Sequence, residues 1–136
     1  MTFKNFIKSM LSGMAFPSIF LPLAYTAIYL YESNIIQANP LQFIPMYIPI
    51  FFGITNVIYL WIGDRCPIQN IKWRLWTTGA ILGLIVAFLG IFIFNVPTFV
   101  FGLSGGFEYL LLIFLPIIYG AIFRYIIKWL NTLLEI

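Results

Sequence analysis

Residues 75–94 read LWTTGAILGLIVAFLGIFIF, twenty positions without a charged side chain. An α-helix rises ~1.5 Å per residue, so twenty apolar residues cover the ~30 Å hydrocarbon core of a bilayer. With Arg74 at its start this is a span of about 74–94, and three further stretches share its character: about 9–31, 43–62 and 107–130. The expected fold is an all-α membrane protein, a single transmembrane domain over residues 1–136 built as a four-transmembrane-helix bundle. Composition agrees, with 62% hydrophobic and only 8% charged residues and a mean hydropathy of +1.03. So few charges cannot coat a water-soluble globule, for which about a quarter charged is ordinary.

Lys4 and Lys8 precede the first apolar run, as in a signal peptide. The run from Ser9 to Tyr31 is 23 residues long and ends on bulky Tyr29, Leu30 and Tyr31 rather than a small-residue cleavage site, so it reads as a retained helix. All seven cations lie at the N-terminus (Lys4, Lys8), in the middle loop (Arg65, Lys72, Arg74) or near the end of helix 4 (Arg124, Lys128), and the outer loops have none. The positive-inside rule therefore places the N-terminus, the C-terminus and the middle loop in the cytoplasm. Trp61, Trp73, Trp76 and Trp129 fall at the same interface, as rings of an aromatic belt do. The expected location is the plasma membrane, a bacterial inner membrane in particular.

Missing residue types narrow the chemistry. With no His and a single Cys, Cys66, no metal site, no cofactor, no intrachain disulfide and no Ser–His or Cys–His catalytic pair is expected. The basic residues sit in short clusters beside apolar runs, a pattern for anionic lipid headgroups at the cytoplasmic face and not for nucleic acid.

In helix 3, Gly79, Gly83, Ala87 and Gly90 recur at spacings of four, four and three. Stacked on one face, small residues let another backbone approach closely, either within the bundle or across a homo-oligomer seam. The prolines lie elsewhere: Pro17 and Pro22 in helix 1, Pro45 and Pro49 in helix 2, Pro116 in helix 4. Each interior proline removes a backbone hydrogen bond, which kinks a helix or breaks it around a site. Pro45 is expected to open the first turn of helix 2. Residues 19–31 and 113–125 are identical at eight of thirteen positions around Pro22 and Pro116, a hint of the inverted repeats used by transporters.

Five residues are candidates for ligand or ion binding. Glu108 follows Ser104, Gly105 and Gly106, so it either caps helix 4 at the positive end of its dipole or offers a carboxylate to a cation near the outer face. Arg124 lies only sixteen residues on and reaches the cytoplasmic interface by snorkelling. Asn56 is an amide well inside helix 2, suited to bonding a neighbouring helix or a substrate. Tyr25 and Tyr119 each stand three residues after a mid-helix proline, within reach of a stranded carbonyl or a cavity. Helices 1, 2 and 4 are expected to meet at any such site beneath the apolar outer loop 95–106, which reads as an interfacial segment or a re-entrant cap.

Gly120-Ala121-Ile122-Phe123-Arg124-Tyr125 resembles the G-A-x-x-R-Y segment of the small four-helix fluoride channels. In that family the segment lies in the first helix and a polar Thr/Ser–Phe track follows in the third. Here it lies in the last helix and helix 3 has no such track, so the likeness stops at six residues and assigns no family. Small multidrug transporters also have four helices, but with a membrane-embedded glutamate midway along helix 1, where this chain has none. The expected function is that of a non-enzymatic membrane component or accessory subunit, alone, as a homo-oligomer or within a membrane complex, with no catalytic residue assigned. The alternatives are a small transporter or channel using Glu108 and, more weakly supported, a lipid-modifying enzyme.

Overall fold

The computed structural model describes residues 2–31, 46–102 and 105–136, without the side chains of residues 25, 28–31, 64 and 99–101. The first outer loop, Pro45 and the Tyr25 side chain lie outside the described residues. The described residues are helical, with no strand among them. Helix α1 spans Phe3–Tyr31, α2 Ile48–Ile62 and α3 Ile71–Phe88. A short α4, Val96–Phe101, follows, then α5 Leu111–Ile122 and α6 Lys128–Leu133.

Two π-helical turns extend these elements. One, Leu89–Ile93, continues α3; the other, Phe123–Ile127, joins α5 to α6. With a 3₁₀ turn at Phe107–Leu110, residues 107–133 form one continuous helical rod. Three helical runs are long and apolar enough to cross a membrane: Phe3–Ala24, Ile71–Ile93 and Phe107–Leu133. The fourth, α2, is apolar but has 15 residues, about 22 Å of helix. The chain is a multi-pass membrane protein.

Helix starts differ from the hydropathy reading for local reasons. α1 begins at Phe3 rather than residue 9, because Lys4 and Lys8, at which a hydropathy reading stops, are good helix formers. α3 begins at Ile71, where the Asn70 side chain accepts from the Lys72 backbone N–H at 3.0 Å as an N-cap. Pro49 stands in the first turn of α2, where its missing N–H needs no partner. α1 and α5 run through Pro17, Pro22 and Pro116 without interruption. Within the connection 95–106, residues 96–101 fold as α4 between left-handed residues, Asn95 at φ 51° and Gly102 at φ 62°.

Packing is pairwise and antiparallel. α1 lies along α2 and α3 along α5, each pair drawn together at glycines. A Cβ on Gly13 would strike the backbone of Phe52 and Gly53. One on Gly79 would strike Tyr119 and Gly120, and one on Gly83 would strike Leu115 and Pro116. Ala87 on the same helix is buried, whereas a Cβ on Gly90 would meet nothing within 4 Å. The small-residue face at Gly79 and Gly83 is thus occupied by α5 of the same chain.

The two pairs meet around Phe52, which is 1% exposed. Its ring takes Tyr119 edge-on at 4.7 Å and stacks on Phe123 at 5.4 Å, an arrangement the ring quadrupoles favour. Leu75, Leu82 and Ile127 complete this core. The outward faces stay apolar, with Ile19 and Phe20 on α1, Ile81 and Phe88 on α3 and Ile113 and Phe114 on α5 all exposed. Such a surface suits lipid.

Candidate functional site

The polar groups that these helices bury gather at one end, where α1 starts and α2 and α6 finish. Ser9, Ser12 and Asn56 are fully buried, and Asn131 is 6% exposed. Helix spacing places Ser9 and Ser12 three residues apart on one face of α1. Asn56 Nδ2 donates to the Ser9 carbonyl at 2.8 Å and to Asn131 Oδ1 at 2.9 Å. Asn131 Nδ2 returns a bond to Asn56 Oδ1 at 3.0 Å. Ser12 Oγ donates to Asn131 Oδ1 at 2.6 Å, and Ser9 Oγ to the Asn5 carbonyl at 2.6 Å.

The two amides therefore form a reciprocal pair with a serine hydroxyl on one side and a backbone carbonyl on the other. Unsatisfied, these groups would be costly to hold away from water. Satisfied, they fix α1, α2 and α6 in one register, because a shift of one residue would strand several of them. Outside the cluster, Lys8 Nζ donates to the Leu134 carbonyl at 2.6 Å. That places a cation on the negative end of the last helix and ties α1 to it again.

The middle loop is pinned at the same end. Arg74 Nη1 donates to the Gly63 carbonyl at 2.6 Å, and its guanidinium lies 5.2 Å from the centre of the Tyr59 ring. Gly63 closes α2 at φ 34°, with its N–H on the Tyr59 carbonyl. The Trp76 ring covers Gly120, while Trp61, Trp73 and Trp129 are exposed. An open cleft of about 260 Å³ lies beside the cluster, lined by Asn5, Ser9, Leu60, Trp61 and Ile136. Ser9 reaches it with its hydroxyl already bonded.

The residues singled out from sequence do not come together. Asn56 is at the cluster. Tyr119 is buried against Phe52, midway along the bundle. Arg124, half-buried in the π-turn, lies 5.4 Å from the centre of the Tyr125 ring. Glu108 is at the far end of its helical rod, where its Oε2 accepts from the Gly106 N–H at 3.1 Å. Gly106, rather than Gly105, is the N-cap there, at φ 94°, so Glu108 sits at the second helical position, one short of the capping-box place, and still bonds back to the N–H of the cap residue. The first, second and last long helices do meet, but at the end opposite Glu108 and the connection 95–106.

Asn131 was not among the sequence candidates. It stands just past residue 130, where the sequence reading ended the last span, between Lys128 and Glu135. The available signal was the spacing of four through Phe123, Ile127 and Asn131, together with the demand of Asn56 for a partner. Among the described residues no group of three His, Cys, Asp or Glu could hold a metal. A second hollow of about 330 Å³, lined by Leu84, Ile85, Phe88, Leu89 and Leu112, is apolar and faces outward from α3 and α5. No known family model matches the chain, and no curated protein or solved structure matches it significantly.

Proposed function

We propose that the chain crosses the membrane four times as a four-helix bundle, with both ends and the middle loop in the cytoplasm. In this reading it is a non-enzymatic component of the plasma membrane, a bacterial inner membrane, serving as an accessory subunit whose apolar exterior contacts lipid and a membrane partner. One observation carries it: the side chains of the buried cluster, Ser12, Asn56 and Asn131, are consumed by one another and by the Ser9 carbonyl. A transport or catalytic site needs groups with bonding capacity left for a ligand, and this cluster spends its capacity on holding helices. The topology is supported by Lys8, Arg74, Trp61 and Trp129 lying at one end, the end that positive charge and tryptophan mark as cytoplasmic. There the basic residues would meet anionic headgroups.

Purification in mild detergent at native expression is the test. A partner at fixed stoichiometry, with Glu108→Gln indistinguishable from the parent chain, is the expected result. Loss of solute flux in reconstituted vesicles on Glu108→Gln, with the fold intact, would replace this reading by the transporter one. A reporter fused after residue 136 is expected to be active only in the cytoplasm.

A further inference from the structure

We propose that the π-turn Phe123–Ile127 is a register device, one residue longer than an α-helix requires, that phases the last helix so that Asn131 meets Asn56 and Ser12. The turn shows in its bonding: the Lys128 N–H donates to the Phe123 carbonyl, five residues back, and shares itself with the Tyr125 carbonyl. An α-helix closes four residues back, so one residue is absorbed without advancing the helix by its usual ~100°.

The buried positions show what that residue does. Phe123 and Ile127 are fully buried and Asn131 nearly so, at spacings of four. In an uninterrupted α-helix the eight residues from Phe123 to Asn131 turn through about 800°, leaving Asn131 roughly 80° away from the Phe123 face. With one residue absorbed the rotation is about 700°, and Asn131 returns to within roughly 20° of that face.

No proline or glycine lies in residues 123–127 to cause the turn. Packing holds it instead, with Phe123 stacked on Phe52 at its start and Asn131 bonded to Asn56 and Ser12 beyond its end. Were the turn to relax to α-helix, the chain beyond it would rotate by about 100° and carry Asn131 off both partners. The amide cluster and the π-turn hold each other in place.

Single-residue deletions test this in the full chain. The readout is the non-additivity of Asn56→Ala and Asn131→Ala in detergent melting temperature. Deleting Tyr125, which is exposed, removes the absorbed residue and leaves Asn131 in phase. Deleting Arg124 does so independently. At least one of these chains is expected to melt at or above the parent temperature with the non-additivity preserved. Deleting Ile118, also exposed but within regular α5, shifts the phase and is expected to abolish either the fold or the non-additivity. The proposal is overturned if both turn deletions lose the fold or the coupling, or if deleting Ile118 preserves the coupling equally well.

Discussion

Asn56 and Asn131, 75 residues apart in sequence, exchange two side-chain hydrogen bonds of 2.9 and 3.0 Å in a position closed to solvent. Replacing one partner strands the other. Asn131→Ala leaves the Asn56 carbonyl oxygen, one Asn56 N–H and the Ser12 hydroxyl without partners, while the Asn56 bond to the Ser9 carbonyl stays, and is expected to cost about 1–2 kcal/mol. Asn56→Leu with Asn131→Leu removes both amides and is expected to cost less than the sum of the single changes. Thermal unfolding of the parent, Asn131→Ala, the two single leucine variants and the double, five chains in one detergent, checks both statements.

Gly83 and Gly90 lie on the same stretch of helix but in different surroundings. A side chain at Gly83 meets the backbone of Leu115 and Pro116, which cannot move aside as a flexible side chain would. Gly83→Leu is expected to cost 3 kcal/mol or more, or to prevent folding, because it separates α3 from α5. Gly90→Ala is expected to change stability by no more than about 0.5 kcal/mol. Folded yield and melting temperature of the two variants separate the positions.

Lys8 acts on the far end of the chain through its bond to the Leu134 carbonyl. Lys8→Met keeps the aliphatic stem and removes the charged donor, at an expected cost of about 0.3–1 kcal/mol. Hydrogen exchange should accelerate in residues 130–136 and stay unchanged in α3. An equal rise in both regions would mean that the bond is not local in its effect.

Glu108 bonds the Gly106 N–H within its own turn. Glu108→Ala is expected to fray the start of the 107–133 rod at a cost of about 0.5–1 kcal/mol. Glu108→Gln keeps an acceptor oxygen and is expected to lie closer to the parent chain. Exchange of the amides of residues 106–111 measures the difference.

Hydropathy made the long apolar runs legible, since length and lack of charge are what lipid selects. It was blind to helix that leaves the lipid, so it placed the start of α1 at residue 9 and not at Phe3. It also read 95–106 as a loop, although Pro97 in the first turn of α4 is a helix-start signal. Asn56 was visible because an amide amid Ile, Val and Tyr stands out. Asn131 was hidden because it lies past the end of the apolar run, beyond Lys128, and the phase that buries it depends on the π-turn. No residue type marks such a turn, as Phe123, Arg124, Tyr125 and two isoleucines form ordinary α-helix elsewhere.

The order of synthesis gives the amide cluster a consequence for biogenesis. Ser9, Ser12 and Asn56 leave the ribosome with the first half of the chain, and Asn131 only near its end. Until then the early helices have nothing with which to complete their polar seam, and the nascent protein carries an open amide and hydroxyl into the bilayer. A chain truncated before Asn131 would keep them open permanently. It could be recognised by any membrane protease that samples unpaired polar groups.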